Sequence, residues 1–371
     1  MKKCMTWLMA ALCSVAVAAP AMAADTIKIG VQGAHSGDLA SYGVPSLNAA
    51  KIVIEEANAK GGVLGKKIEL VSQDDQCKPE LATNAATKLI SDKVVAIMGP
   101  ICSGATNASL PMYESANIIS ISPTATTPAL TLEGKHPLFL RTVANDNAQA
   151  QLTSSYIIEV LKAKKVAYLH DNGEYGKGFA QQNRGILEKA GVETVLFEAV
   201  TFSAVVRKLR RAKADVLIFG GYQNTASKLV QQMRRDRVKT PLIGPDGVKD
   251  ETFLKMTGKD SEGVMASYPK DTSTLAMYKH AREAHVKQFG SEPGFGYYNA
   301  YAATQALIKA IEVAGSTETD KIMAALKSTE VDTPLGKMSF NKAGDATGLG
   351  LSVYVVKDGK FVESDHSITL H

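Results

Sequence analysis

Short β-branched runs alternate with amphipathic helical stripes along most of this chain, and that alternation restricts the fold more than any other feature. Residues 26–31 read as a strand. Ala50, Val53, Ile54 and Ala57 then recur at i, i+3, i+4 and i+7, a helical stripe that Gly61-Gly62 stops. Strands are expected at 67–72, 94–98 and 118–121, with a helix over 79–90. A second series follows: helix 150–162, strand 165–170, helix 175–189, strand 192–199, helix 203–212, strand 215–219, helix 225–235 and strand 241–243. After a last strand at 264–267 the pattern turns helical (275–288, 298–314, 319–328) and ends in two strand-like tails, 336–340 and 351–357. Strands and helices alternating at this spacing imply parallel sheets covered on both faces. Two such series in 371 residues imply two doubly wound lobes. Helices that arrive after the second series imply a return to the first lobe, so several segments should cross between the two. The expected division is 24–143 with 272–348, and 144–271 with 349–371.

The first two dozen residues read as an export signal. Lys2 and Lys3 precede an uncharged, mostly apolar run over 5–19, and Pro20 and Ala21-Met22-Ala23 follow, so cleavage is expected after Ala23. The run is too short to span roughly 30 Å of hydrocarbon. Leu12 before Cys13 argues against a lipid anchor there. The 1–23 segment is therefore expected to direct the rest of the chain out of the cytoplasm, into an oxidising compartment. Cys77 and Cys102 remain, and such a compartment favours one structural disulfide. Closing that loop stabilises the fold by about 3 to 4 kcal/mol in the chain-entropy model. Lys and Arg number 42 against 37 Asp and Glu, an excess too small for a nucleic-acid or polybasic membrane binder. The basic runs Arg207, Lys208, Arg210, Arg211, Lys213 and Arg234, Arg235, Arg237, Lys239 read as solvated helix faces.

Several chemistries lack their motifs. The loop after the first strand, Gly33-Ala34-His35-Ser36-Gly37, is no dinucleotide fingerprint, and 61–67 has neither the spacing nor the hydroxyl of a phosphate loop. No two of the seven histidines lie three or four apart, so no helical metal pair is encoded, and no metal or cofactor is expected. Ser103 lacks the glycine two residues before it that a hydrolase elbow needs; Ile101 stands there.

What is present points to a small zwitterion. Two hydroxyl-bearing loops, 98–104 and 122–128, leave consecutive strands of one sheet and enter helices, with Thr126 or Thr127 as the expected cap of the second and Pro128 in its first turn. Free helix N–H groups and hydroxyls together make an anion site without arginine. Tyr42, Tyr175, Tyr222, Tyr297 and Tyr298 fall at expected loop ends, and Asp246 sits in the turn Gly244-Pro245-Asp246-Gly247. One lobe would take a carboxylate; the other would offer a carboxylate of its own and apolar rings.

At these residues the sequence resembles the periplasmic leucine/isoleucine/valine-binding proteins of ABC importers. The likeness rests on Ile29-Gly30-Val31 with Ser36-Gly37, Asn58-Ala59-Lys60-Gly61-Gly62, Asp74-Asp75-Gln76-Cys77, Gly99-Pro100-Ile101-Cys102-Ser103, Ile121-Ser122-Pro123, His170-Asp171 with Tyr175-Gly176, and Gly220-Gly221-Tyr222. It implies an α/β type I periplasmic-binding-protein fold and a monomeric, non-enzymatic binding component that delivers a branched-chain or similar aliphatic amino acid to a membrane permease. Alternatives are a ligand-sensing domain of the same fold, an importer component for another small amino acid or carboxylate, and a secreted α/β hydrolase. The resemblance also implies site roles. Ser103, Ala125 and Thr126 would surround the ligand carboxylate, and the Thr124 carbonyl and Asp246 would hold its ammonium. Tyr42, Tyr175 and Tyr222 would line the side-chain pocket, Tyr298 or less directly Tyr297 would close it, and Asp146 would lie near the ligand. Cys77 would pair with Cys102. Two departures stand out: Asp246 replaces a glutamate common in branched-chain members, and the 198–203 segment is several residues short.

Overall fold

In β1 (Ile27–Gly33) the alternate residues Ile27, Ile29 and Val31 are all buried, and the strand takes an inner place in its sheet. The computed structural model describes residues 26–370, so the signal-peptide reading lies outside the described residues. From β1 the chain runs through α1 (Ala40–Ala59), β2 (Ile68–Asp74), α2 (Pro79–Ser91), β3 (Ala96–Met98), α3 (Ser103–Ser115), β4 (Ile119–Ser122), α4 (Ala129–Leu132) and β5 (Phe139–Arg141). The five strands form one parallel sheet in the order β2-β1-β3-β4-β5.

The second series comprises α5 (Asp146–Glu159), β6 (Lys165–His170), α6 (Glu174–Lys189), β7 (Glu193–Ala199), α7 (Ser203–Ala212), β8 (Val216–Gly220), α8 (Gln223–Arg235), β9 (Leu242–Gly244), α9 (Glu251–Thr257) and β10 (Met265–Pro269). Then come α10 (Ala276–Phe289), α11 (Tyr297–Ala314), α12 (Thr319–Ser328), β11 (Val331–Thr333), β12 (Gly336–Phe340), β13 (Ala346–Thr347), β14 (Gly350–Lys357) and β15 (Lys360–Thr369). The second large sheet has the order β15-β14-β10-β9-β8-β6-β7, while β11, β12 and β13 make a small antiparallel sheet.

The expectation of parallel pairing needs one correction. Strands β10 to β7 are parallel, but β14 runs antiparallel to β10 and β15 antiparallel to β14. The β14–β15 pair is set by a two-residue turn, Asp358-Gly359, whose residues both have positive φ, as a tight hairpin requires. It folds the tail back as an edge ribbon.

Helices α1, α11 and α12 cover one face of the first sheet. Ala49, Ala50 and Val53 meet Ala300, Ala303, Ala306 and Ala310, small side chains that let α1 and α11 approach closely. Apolar clusters built around Leu217, Phe219 and Leu229, and around Val166, Phe179 and Ile218, fill the two faces of the second sheet. The chain passes between the large sheets after β5, after β10 and before β14. Cys77 and Cys102 are joined, tying the loop after β2 to the start of α3. Within the short 198–203 segment β7 and α7 are joined by only residues 200–202, where Phe202 has φ 42°, a strained value for a residue with a side chain.

Candidate functional site

The carboxyl-terminal ends of the parallel strands of both sheets face one another, as the ligand crevices of open α/β sheets require. On the first side, α1 starts close above β1: a Cβ on Gly43 would lie 1.8 Å from the Ala34 carbonyl oxygen, so only glycine permits the contact that sets Tyr42. On the second side the first turn of α6 rests on the end of β8. A Cβ on Gly220 would sit 1.9 Å from the Gly176 carbonyl oxygen, and this closeness brings the Tyr175 and Tyr222 ring centroids to 5.0 Å.

Between them lies a small, tightly closed cavity lined by Tyr42, Ile101, Cys102, Thr124, Tyr175, Tyr222, Asp246, Gly247 and Phe295. Its rings form an arc: Tyr42 meets Tyr222 at 5.8 Å and Phe295 at 4.3 Å, both edge-on. The two sides are bonded to each other directly. The Tyr42 hydroxyl donates to the Gly247 carbonyl at 2.5 Å and accepts from the Gln223 N–H at 3.2 Å. Gln223 Nε2 donates to Ser41 Oγ at 3.3 Å, and Asn107 Nδ2 to Glu174 Oε2 at 3.3 Å. The structure is therefore a closed form.

On the first side, Ser103 Oγ accepts from the Thr127 N–H at 3.3 Å, which leaves its own hydroxyl hydrogen free to donate. Thr126 Oγ1 and Thr127 Oγ1 are buried without a hydrogen-bond partner. Unpaired buried hydroxyls are costly unless something completes them. The expected helix cap is corrected here: α4 begins only at Ala129, neither Thr126 nor Thr127 caps it, and Ser122 Oγ already accepts from the Ala125 N–H at 2.9 Å. The loop is held instead from below by Arg141 at the end of β5. That fully buried guanidinium donates to the Ala125 carbonyl at 3.2 Å and the Thr127 carbonyl at 2.8 Å, to the Thr131 hydroxyl, and through Nε to Asp345 at 2.5 Å. Because the Ala125 C=O is turned toward Arg141, the Thr126 N–H of the same peptide is turned away from it, while the Thr127 carbonyl is followed by Pro128, which has no N–H.

On the second side, Asp246 Oδ1 accepts from Tyr175 Oη at 2.5 Å and from the Gly247 N–H at 2.9 Å. Gln149 Oε1 accepts from the Asp246 N–H and from Ser267 Oγ, while its Nε2 donates to Asp146 Oδ1 at 3.2 Å. Burial pushes the Asp246 carboxyl up to about 6, against the pull of the Tyr175 and Gln149 hydrogen bonds. Burial, then the neighbouring Asp246 charge, raises Asp146 well above the usual carboxylate range, opposed by Thr126 and Arg141.

Of the residues expected from sequence, Tyr42, Thr124, Tyr175, Tyr222 and Asp246 share the cavity wall, and Ser103, Ala125, Thr126 and Asp146 are buried within the structures that border it. Tyr298 is a correction. It is not among the cavity-lining residues but stacks on Tyr278 at 4.0 Å over an outer groove, while Tyr297 is buried in the first core and donates to the Ala281 carbonyl. Phe295, three residues before Tyr298 in Pro293-Gly294-Phe295-Gly296, lines the cavity instead. The same signal, an aromatic in a glycine-rich loop before a helix, could have found it. Arg141 and Gln149 were also missed; a lone arginine at a strand end carries no motif. Among the described residues no cluster of metal-ligating side chains occurs, and no helix is long and apolar enough to cross a membrane.

The family described as periplasmic binding protein matches residues 26–360. The leucine-, isoleucine-, valine-, threonine- and alanine-binding protein of Pseudomonas aeruginosa is 33% identical over 352 residues, covering 94% of each chain. Among solved structures, the branched-chain amino acid transporter substrate-binding protein LivJ of Streptococcus pneumoniae, in complex with isoleucine, aligns with TM-score 0.82 and 28% identity over 92% of this chain and all of its own. The leucine-binding protein LivK of Thermotoga maritima shares the fold, with TM-score 0.86 and 24% identity over 93% of this chain and 99% of its own. With its paired sheets, a closed crevice between them and a family match along nearly all of its described length, the chain belongs to the periplasmic binding protein family.

Proposed function

We propose that the chain is the periplasmic substrate-binding component of an ABC importer and that it holds a leucine-, isoleucine- or valine-like L-amino acid between its lobes. Of the described residues, 26–143 with 272–348 form one lobe, and 144–271 with 349–370 the other. The observation that carries the reading is the division of chemistry across the cavity: unpaired hydroxyls at one border, a buried carboxylate on the facing side, and aromatic rings between. A zwitterion with a short apolar side chain completes all three.

In this reading the Ser103 and Thr126 hydroxyls and the turned-out Thr126 N–H receive the ligand carboxylate. Asp246 and the Thr124 carbonyl receive the ammonium, and Tyr42, Tyr175, Tyr222 and Phe295 surround the side chain. Burying an ion pair is tolerable because each charge keeps its hydrogen bonds. The ligand stabilises the closed form by touching both lobes at once, and a membrane permease then recognises that form. The protein works as a monomer, carries out no reaction, and leaves its signal peptide near Ala23. The relatives' names and the absence of a nucleophile elbow at Ser103 support this over hydrolysis.

Thermal-shift screening of the twenty amino acids tests it. Leucine, isoleucine and valine should raise the melting temperature most, as mass action requires of ligands that bind only the folded state. A flat response to these three beside a strong one elsewhere would refute the specificity.

A further inference from the structure

The amino-acid site contains one carboxylate more than a zwitterion can neutralise, and that carboxylate is Asp146. It opens α5 at the first crossing between the sheets and is fully buried. Oδ1 accepts from Gln149 Nε2, but Oδ2 has no hydrogen-bond partner. The charged and titratable groups around it come from four other elements: Asp246 after β9, Arg141 at the end of β5, Tyr175 on α6 and Tyr222 before α8. The phenols are held neutral by burial. Arg141 is the only cation in this group, and its Nε is already bonded to Asp345 at 2.5 Å. Asp146 and Asp345 thus share one guanidinium, and Asp246 adds a further carboxylate beside Asp146. A bound zwitterion adds a positive and a negative charge and leaves the imbalance as it was. Its carboxylate, placed at Ser103 and Thr126, would also lie toward Asp146, because the Asp146 N–H donates to the Thr126 carbonyl at 2.9 Å. Nearby, Thr126 Oγ1 makes no other hydrogen bond, and its hydroxyl faces the Asp146 carboxylate, favouring the charged form.

We propose that Asp146 takes up a proton when the lobes close over the amino acid, so that ligand binding is coupled to proton binding. In an open cleft its carboxylate is hydrated and ionised at neutral pH. Closure removes that water, and one proton on Oδ2 both removes one of the two excess negative charges and turns an acceptor into a donor toward Thr126 or the ligand carboxylate. The raised affinity of buried Asp146 for a proton agrees in direction. The sign follows: a group that binds its proton more tightly in the closed, liganded state makes binding stronger as pH falls.

This inference rests on the amino-acid reading, and calorimetry separates the two. Leucine is titrated into the wild-type protein at pH 7 in phosphate and in Tris, buffers whose protonation heats differ widely. The observed heats should differ by an uptake of about half to one proton per leucine, with affinity rising as pH falls from 8 to 6 by up to about tenfold per unit. Asp146→Asn should bind leucine without proton exchange and with an affinity that is flat across the same range. Equal wild-type heats in both buffers, with leucine bound, would overturn the inference and leave the function intact. Uptake that persists in Asp146→Asn would overturn it too, by placing the proton elsewhere. If no amino acid binds in either buffer, the functional reading itself fails and the inference falls with it.

Discussion

Removing the hydroxyl of Tyr42 tests how much the direct contacts between the lobes contribute to holding a ligand. Its ring is buried against Phe295 and Tyr222, and Tyr42→Phe preserves that packing. The lost hydroxyl makes two bonds across the cleft, to the Gly247 carbonyl and from the Gln223 N–H. At about 0.5 to 1.5 kcal/mol each, their loss costs the closed form about 1 to 3 kcal/mol. That is roughly a 5- to 150-fold weaker affinity for leucine. Both bonds cross the cleft, so the open form does not depend on them and the ligand-free melting temperature should hardly move. Calorimetry supplies the affinity, and small-angle scattering should show compaction only at proportionally higher leucine concentration. Unchanged affinity with unchanged ligand-free stability would refute the argument, because it would mean that the cleft closes without these bonds.

Asp246→Ala should weaken leucine binding by at least an order of magnitude, from the roughly 2 kcal/mol or more lost when a buried ammonium is left unpaired; calorimetry checks it. Arg141→Met should destabilise the fold by about 3 to 5 kcal/mol, since it strands Asp345 and two carbonyls in the interior, and urea unfolding measures this. Burial raises Asp75 to about 6, so its contribution to stability is fully present below its unfolded value near 4 and is lost as pH rises through about 6. The stability of Asp75→Asn relative to the wild type should therefore rise by up to about 3 kcal/mol between pH 4 and pH 7.5, as urea midpoints at both pH values would show. Replacing Cys77 and Cys102 together by serine should cost about 3 to 4 kcal/mol for a sequence separation of 25, seen as a lower melting temperature.

The long elements were legible because period and length agree in them. The strand over 165–170 and the helices over 203–212 and 319–328 follow directly from their apolar spacing. β5 escaped because three residues are too few to show a period, yet its last residue, Arg141, holds the 125–127 loop through two carbonyls. The β14–β15 hairpin escaped for a different reason. Its Asp358-Gly359 turn is a strong local signal, but β15 alternates polar residues on an exposed edge and so resembles an unstructured tail. α1 begins at Ala40 and runs through Pro45, where a proline in the second turn forfeits one backbone bond without ending the helix. In the site, hydroxyls and tyrosines at strand ends could be read from their positions. Which of the neighbouring aromatics, Phe295, Tyr297 or Tyr298, faces the cavity depends on how α11 is rotated, and that is fixed by packing against α1 rather than by local sequence.

The most direct measurement is a crystal structure of the protein grown with leucine. The expected density lies inside the closed cleft, with the carboxylate on Ser103 and Thr126, the ammonium between Asp246 and the Thr124 carbonyl, and the side chain among Tyr42, Tyr175 and Tyr222. Leucine seated with its ends reversed, or a cleft that stays empty at saturating leucine, would contradict the assignment.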